Sequence, residues 1–235
     1  MMWLSADESE ALFLSLSVAT RSMLLSLPFA LLLSWILTRK QFVGRTILDA
    51  LVHLPLVLPP VVVGYLLLVL FGTRGPLGGW LEKNLGIELI FTRNGAALAT
   101  AVMTFPLLVR AMRISLETVD RGLEDAARTL GAGSWDRFAT VTLPLMLPGV
   151  VAGAITAFSA SLGEFGAVIT FVSNIPGETR TLPLALYSAL QTPGGDAEAA
   201  RLAVISILLG LAGLLLSEWF ARRVRRMLGR QETSS

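Results

Sequence analysis

The sequence predicts an all-α integral membrane protein with about five transmembrane helices, and three observations carry that prediction. Hydrophobic residues make up 54% of the 235. Charged residues make up only 15%, where a soluble domain carries roughly 25%. The mean hydropathy is +0.69. The length fits one membrane domain over 1–235 and leaves no room for a second soluble one.

A spanning helix needs ~20 mostly apolar residues, and five stretches qualify. The first runs from Ala11 to Thr38, interrupted by Arg21. It lacks a basic leader and is long enough to span, so it does not read as a cleaved signal. The second, Ile47 to Phe71, is broken by Pro55, Pro59 and Pro60, which remove backbone donors and kink a helix. The third runs from Gly95 to about Val109 and continues as a more polar helix through Arg113. The fourth spans Val141 to about Leu162, and the fifth Leu202 to Phe220. Residues Gly163 to Val172 are apolar but too few to cross alone; they either extend the fourth helix or re-enter the membrane, and both readings stand at this point. Helix four also carries small residues at every fourth position: Gly149, Gly153, Ala157 and Ser161. That stripe lets another helix approach closely, in the monomer core or at a dimer seam.

Lys and Arg set the orientation. One set of alternate connections carries Arg39, Lys40 and Arg45, then Arg110, Arg113, Arg121, Arg128 and Arg137, then Arg222, Arg223, Arg225, Arg226 and Arg230. The other set carries Arg74, Lys83 and Arg93, then Arg180 and Arg201, while the first ten residues carry none. Thirteen against five places the richer set in the cytoplasm, the amino terminus outside and the carboxyl terminus inside. Trp3, Trp80 and Trp219 lie near span ends, where an aromatic belt holds them. The pI near 9.5 therefore reflects membrane orientation, and no nucleic-acid partner is expected. With no cysteine and one histidine, His53, neither a disulfide framework nor a Cys/His metal centre is expected, nor any cofactor.

The most informative stretch is 120–144, DRGLEDAARTLGAGSWDRFATVTLP, on the cytoplasmic side by the charge count. Leu123, Ala126, Ala127 and Leu130 recur at helical spacing and make one apolar face. Glu124 and Asp125 fall in the first turn, at the positive end of the dipole. Gly131 terminates the helix, and Ser134 is placed to cap a second short one through Trp135, Arg137 and Phe138. The pattern is helix, glycine turn, helix, outside the bilayer and tied to two spans. An amphipathic helix lying on lipid is the bland alternative, but such helices favour large apolar and basic residues over Ala-Ala beside two carboxylates.

Here the sequence resembles the membrane subunits of ABC importers. That family carries a cytoplasmic motif E-A-A, three residues, G, nine residues, I, one residue, L-P. This chain reads Asp125-Ala126-Ala127, three residues, Gly131, nine residues, Val141, Thr142, Leu143-Pro144, with Asp in place of Glu and Val in place of Ile. The resemblance implies a type I importer permease fold whose loop is a coupling helix seated in a groove of an ATP-hydrolysing subunit. Alanines keep such a helix thin, the glycine makes the turn, and the carboxylate pairs with basic groups of the partner. The implied coupling residues are Glu124, Asp125, Ala126, Ala127, Gly131, Leu143 and Pro144. The implied assembly is a homodimer with two cytoplasmic ABC ATPases and a periplasmic or lipid-anchored oxyanion-binding protein, set in the lipid of the bacterial inner membrane.

Two further segments, HLPLVLPPVVVGY at 53–65 and SLGEFGAVITFVSNIPGETRTLP at 161–183, look like the molybdate-type permeases. Sulfate-type permeases are similar in the same places. A tetrahedral dianion suits hydroxyl and amide donors and helix amino termini. Candidate pore or gate elements are Pro59, Pro60, Gly163, Glu164 and Gly166. A carboxylate repels a dianion, so Glu164 reads better as fixing the Gly163–Gly166 bend than as a ligand. His53 reads as a satisfied packing residue, and Arg21 as snorkelling or pairing within the bundle.

The rival from another class is a secondary anion transporter or channel. It calls for coupling-ion residues in several spans and an internal repeat; neither is evident, and it leaves the 120–144 motif idle. A membrane scaffold without transport leaves the same motif unexplained. An enzyme is least supported: without a G-x-x-x-x-G-K-S/T motif, P-loop hydrolysis of ATP belongs to a separate subunit.

Overall fold

The computed structural model describes residues 4–232. Trp3, and the side chains of Arg222, Arg225, Arg226 and Arg230 in the last helix, lie outside the described residues. Every regular element among the described residues is helical.

The first helix, α1 (Ala6–Arg39), opens on a capping box: Ser5 Oγ accepts from Glu8 N and Glu8 Oε2 accepts from Ser5 N at 2.7 Å. Its 34 residues rise about 1.5 Å each, about 50 Å in all, so it begins earlier than its apolar run and outreaches a hydrocarbon core of ~30 Å. Helix α5 (Arg93–Glu117) is the most enclosed. Thr92 caps it, and Ala96, Ala99, Thr100, Thr104, Leu108, Met112 and Leu116 are buried along it. The Thr100 and Thr104 hydroxyls donate to Ala96 O and Thr100 O of the same helix, so neither is left unsatisfied in an apolar interior. Helix α5 packs on α1 and on α8 (Leu143–Ser161), and α8 packs on the last helix, α11 (Asp196–Glu232). Four helical runs are long and apolar enough to cross a membrane: α1, α5, Ser134–Ser161 and Asp196–Phe220. Exposed Leu208, Leu211, Leu214 and Leu215 on α11 suit contact with lipid.

The second expected span, Ile47 to Phe71, is not one helix. It divides into α2 (Arg45–Val57) and α3 (Pro60–Phe71) with a bend of 116°, far beyond a kink. Pro55 stays inside α2, so the break belongs to Pro59 and Pro60, with Pro60 opening α3 where its missing N–H is harmless.

The stretch after α8 also resolves. Helix α8 stops at Ser161, a turn follows, and Gly166–Val172 forms a separate helix, α9. Two elements were not anticipated: α4 (Gly78–Leu85) and α10 (Leu182–Gln191), which packs on α11 and α1. The small-residue stripe faces inward within this chain. A Cβ on Gly149 would stand 2.2 Å from Ser115 Cβ, and one on Gly153 would stand 2.8 Å from Ala111 Cβ. Of the two readings, the monomer core is the one realised.

Candidate functional site

At one end of the bundle, where α1 and α5 finish, residues 120–141 form a largely exposed segment ahead of the buried Thr142. Asp120 caps α6 (Arg121–Thr129) by accepting from Gly122 N at 2.8 Å. Leu130 N and Ala132 N bond back to Ala126 O and Ala127 O, closing the helix. Gly131 holds φ at +90°, and a Cβ there would meet nothing within 4 Å. The glycine is required by backbone geometry alone. Helix α7 (Ser134–Arg137) follows, with Gly133 at its N-cap; Ser134, expected to cap, is already the first helical residue. A π-helical turn, Phe138–Thr142, then leads into α8 at Leu143-Pro144. Such wide turns are rare and concentrate at functional sites.

No residue of α6 is buried. Leu123 is 49% exposed, Leu130 89% and Trp135 77%. The apolar face of α6 is thus left largely uncovered by the rest of this chain. The two carboxylates point opposite ways. Asp125 is exposed and, among the described residues, pairs with Arg128 of its own helix, at 3.3 Å. Glu124 turns inward: its Oε1 accepts from Arg39 Nη2 at 3.0 Å and from Thr142 Oγ1 at 2.8 Å. The sequence reading grouped them as neighbours and missed this division. Ala126 is exposed, and Ala127 is half-buried on the side toward the bundle.

Two of the candidate gate residues, Pro60 and Gly166, come together at a second place. Gly166, the first residue of α9, packs on Pro60: a Cβ would stand 2.7 Å from Pro60 Cβ. Gly64 on α3 packs on α9 just as closely, 2.7 Å from Ala167 O. The broken α2–α3 element and the α8–α9 turn are thus seated on each other through glycines. Glu164 accepts from Ala167 N at 2.9 Å, fixing that turn. Gly163 is exposed and takes no part in the close contact. Phe165 packs against Tyr187 of α10 with the rings tilted and their centroids 5.2 Å apart.

Polar groups that had no assigned partner in the sequence now have one. Arg21 donates to Asn94 at 2.9 Å. His53 Nδ1 lies 2.9 Å from Asp49 O, and Asp49 pairs with Arg113 across α2 and α5. Asp49, His53 and Arg113, with Arg110, Ile114 and Glu117, line a cleft of about 420 Å³. No group of His, Asp or Glu suited to a metal ion occurs among the described residues.

Residues 26–226 match the family model described as "Binding-protein-dependent transport system inner membrane component". The chain is 58% identical over 229 residues to the molybdenum transport system permease protein ModB of Escherichia coli strain K12, covering 97% of this chain and all of that one. It is 42% identical over 199 residues to the sulfate transport system permease protein CysT of the same strain, covering 83% and 72%. In fold it is similar to a chain of a bacterial alginate ABC transporter crystallised with its pentasaccharide-bound periplasmic protein. That match has a TM-score of 0.74 at 17% identity, over 95% of this chain and 81% of that one. The chain therefore belongs to the inner-membrane components of binding-protein-dependent transport systems, the membrane-spanning subunits of ABC importers.

Proposed function

We propose that this chain forms the translocation path of an ATP-driven importer for molybdate, with tungstate as the next substrate. A binding protein on the outer side delivers the oxyanion to a cavity between two copies, and two separate ATPase subunits drive the cycle. The observation that carries the ATP-driven reading is α6, standing off the bundle with Leu123, Ala126 and Leu130 uncovered beside Gly131 and Asp125. These residues are the docking surface for the ATPase. Leu143-Pro144 anchors the loop to α8, so a shift of α6 reaches a span directly.

The substrate assignment rests on the higher identity to a molybdenum permease than to a sulfate permease. The test is uptake of labelled molybdate by vesicles carrying the full complex and its binding protein, with sulfate competing. Preferential molybdate uptake supports the assignment; sulfate winning at equal concentration moves the chain to the sulfate branch.

The loop end faces the cytoplasm and the start of α1 faces outside, by the thirteen-to-five distribution of Lys and Arg. Reporter fusions after Arg45, after Gly131 and at the tail all register cytoplasm on this reading. A periplasmic signal at Gly131 contradicts both the orientation and the docking role. The candidate gate is the seat of Gly166 on Pro60, where two backbone breaks meet; Pro59, Gly163 and Glu164 set its hinge.

A further inference from the structure

We propose that Glu124 is a positioning residue that fastens the docking helix to two spans at once, separating transmission of movement from docking itself. This rests on the docking reading of α6. The geometry is a clasp in which two donors meet on one oxygen. Glu124 Oε1 accepts from Arg39 Nη2 at 3.0 Å and from Thr142 Oγ1 at 2.8 Å. Arg39 is the last residue of α1, and its Nη2 also donates to Val119 O at 3.4 Å, just beyond α5. Thr142 is 2% exposed and closes the π-helical turn that opens into α8. Arg39 and Glu124 side chains are 10% and 20% exposed, so the pair is shielded from solvent rather than lying on the rim.

A shielded ion pair is a poor source of net stability, because desolvation offsets most of its attraction. Its value is geometric: charge-assisted bonds hold donors and acceptor in one arrangement. Thr142 sits where a π-helical turn leaves the backbone locally under-wound, with Leu143 N bonded back to Phe138 O, a kind of turn frequent at functional sites. A pull on α6 therefore acts on the end of α1 through Arg39 and on the start of α8 through Thr142. Asp125, one residue along, has no such tie and faces outward. Neighbouring carboxylates thus divide the work: one meets the partner, the other holds the bundle.

The experiment uses the full complex in vesicles, comparing Glu124→Gln, Thr142→Val and Leu130→Asp. For Glu124→Gln, the ATPase co-purifies in the normal ratio. Molybdate uptake and the stimulation of ATP hydrolysis by the loaded binding protein each fall about tenfold, as expected when one partner of a shielded pair is neutralised. Thr142→Val, which removes one donor and keeps the shape, lowers uptake about threefold and keeps the proposal testable if Glu124→Gln fails to insert. The charge exchange Arg39→Glu with Glu124→Arg restores at least half of the lost uptake. Leu130→Asp loses the ATPase. Loss of the ATPase from Glu124→Gln makes Glu124 a docking contact and overturns the clasp while leaving the docking reading intact. Normal uptake by Glu124→Gln and Thr142→Val overturns it directly. Retention of the ATPase by Leu130→Asp removes the docking reading, and the clasp with it.

Discussion

Glycine serves two regions of this molecule for opposite reasons. In the α6–α7 loop, Gly131 holds a φ of +90° with nothing near enough to touch an added Cβ. Along the α5–α8 seam, Gly149 and Gly153 sit in ordinary helix, and an added Cβ would collide with Ser115 or Ala111. In the loop the backbone demands glycine; in the seam the neighbour does. Loop changes should therefore impair docking and spare the fold, while seam changes should do the reverse.

The largest effect expected is at the seam. Gly149→Val should remove most folded protein, because neither Ser115 Cβ nor the Ala111 carbonyl, 3.2 Å away, can yield without parting α5 from α8. Overpacking of this kind costs about 1–3 kcal/mol or more. Detergent-solubilised yield and thermal unfolding measure it, and wild-type values for both would break the comparison. Gly131→Val comes next. It should fold and insert, yet fail to hold the ATPase in pull-down, since a β-branched residue resists positive φ. Gly131→Ala meets the same backbone strain with open space around it, so a loss of about 1 kcal/mol, roughly fivefold in ATPase affinity, is expected. If Gly131→Ala were as damaging as Gly149→Val, crowding rather than φ would govern the loop. The smallest effect is at Thr100. Its hydroxyl is satisfied inside its own helix, so Thr100→Val should shift the unfolding temperature only slightly, within about 1 kcal/mol.

The same contrast explains what the sequence could reveal. Four spans were legible because each is a long apolar run whose helical state is dictated by lipid. The loop was legible because its signals are local: Asp120 to cap, alanines for a thin helix, Gly131 to turn. The α2–α3 corner was only partly legible. Pro59 and Pro60 announce a break, but the 116° angle comes from Gly64 and Gly166 seating α3 on α9, a tertiary contact. Helices of seven and ten residues, α9 and α10, are too short to stand on propensity alone, so their existence depends on the surfaces that bury them. The stripe at 149–161 was visible, but its partner was not, because periodicity says that something comes close and not what. Arg39 and Glu124 are 85 residues apart; Arg39 was counted toward membrane orientation and Glu124 read as a first-turn carboxylate, and no spacing rule joins them.

The capping box at the start of α1 has a consequence for how the chain is made. Glu8 closes the first turn of α1 with Ser5, and its Oε1 also accepts from Arg201 Nε at 2.8 Å, 193 residues later. Its side chain is fully enclosed. During synthesis the first helix therefore enters the bilayer with an acidic group whose cation has not yet been translated. The enclosed carboxylate thus ties the start of α1 to the start of α11, the first span to the last. Removing the Arg201 guanidinium would leave an enclosed carboxylate without its cation, a cost that falls on the first span although the change lies in the last.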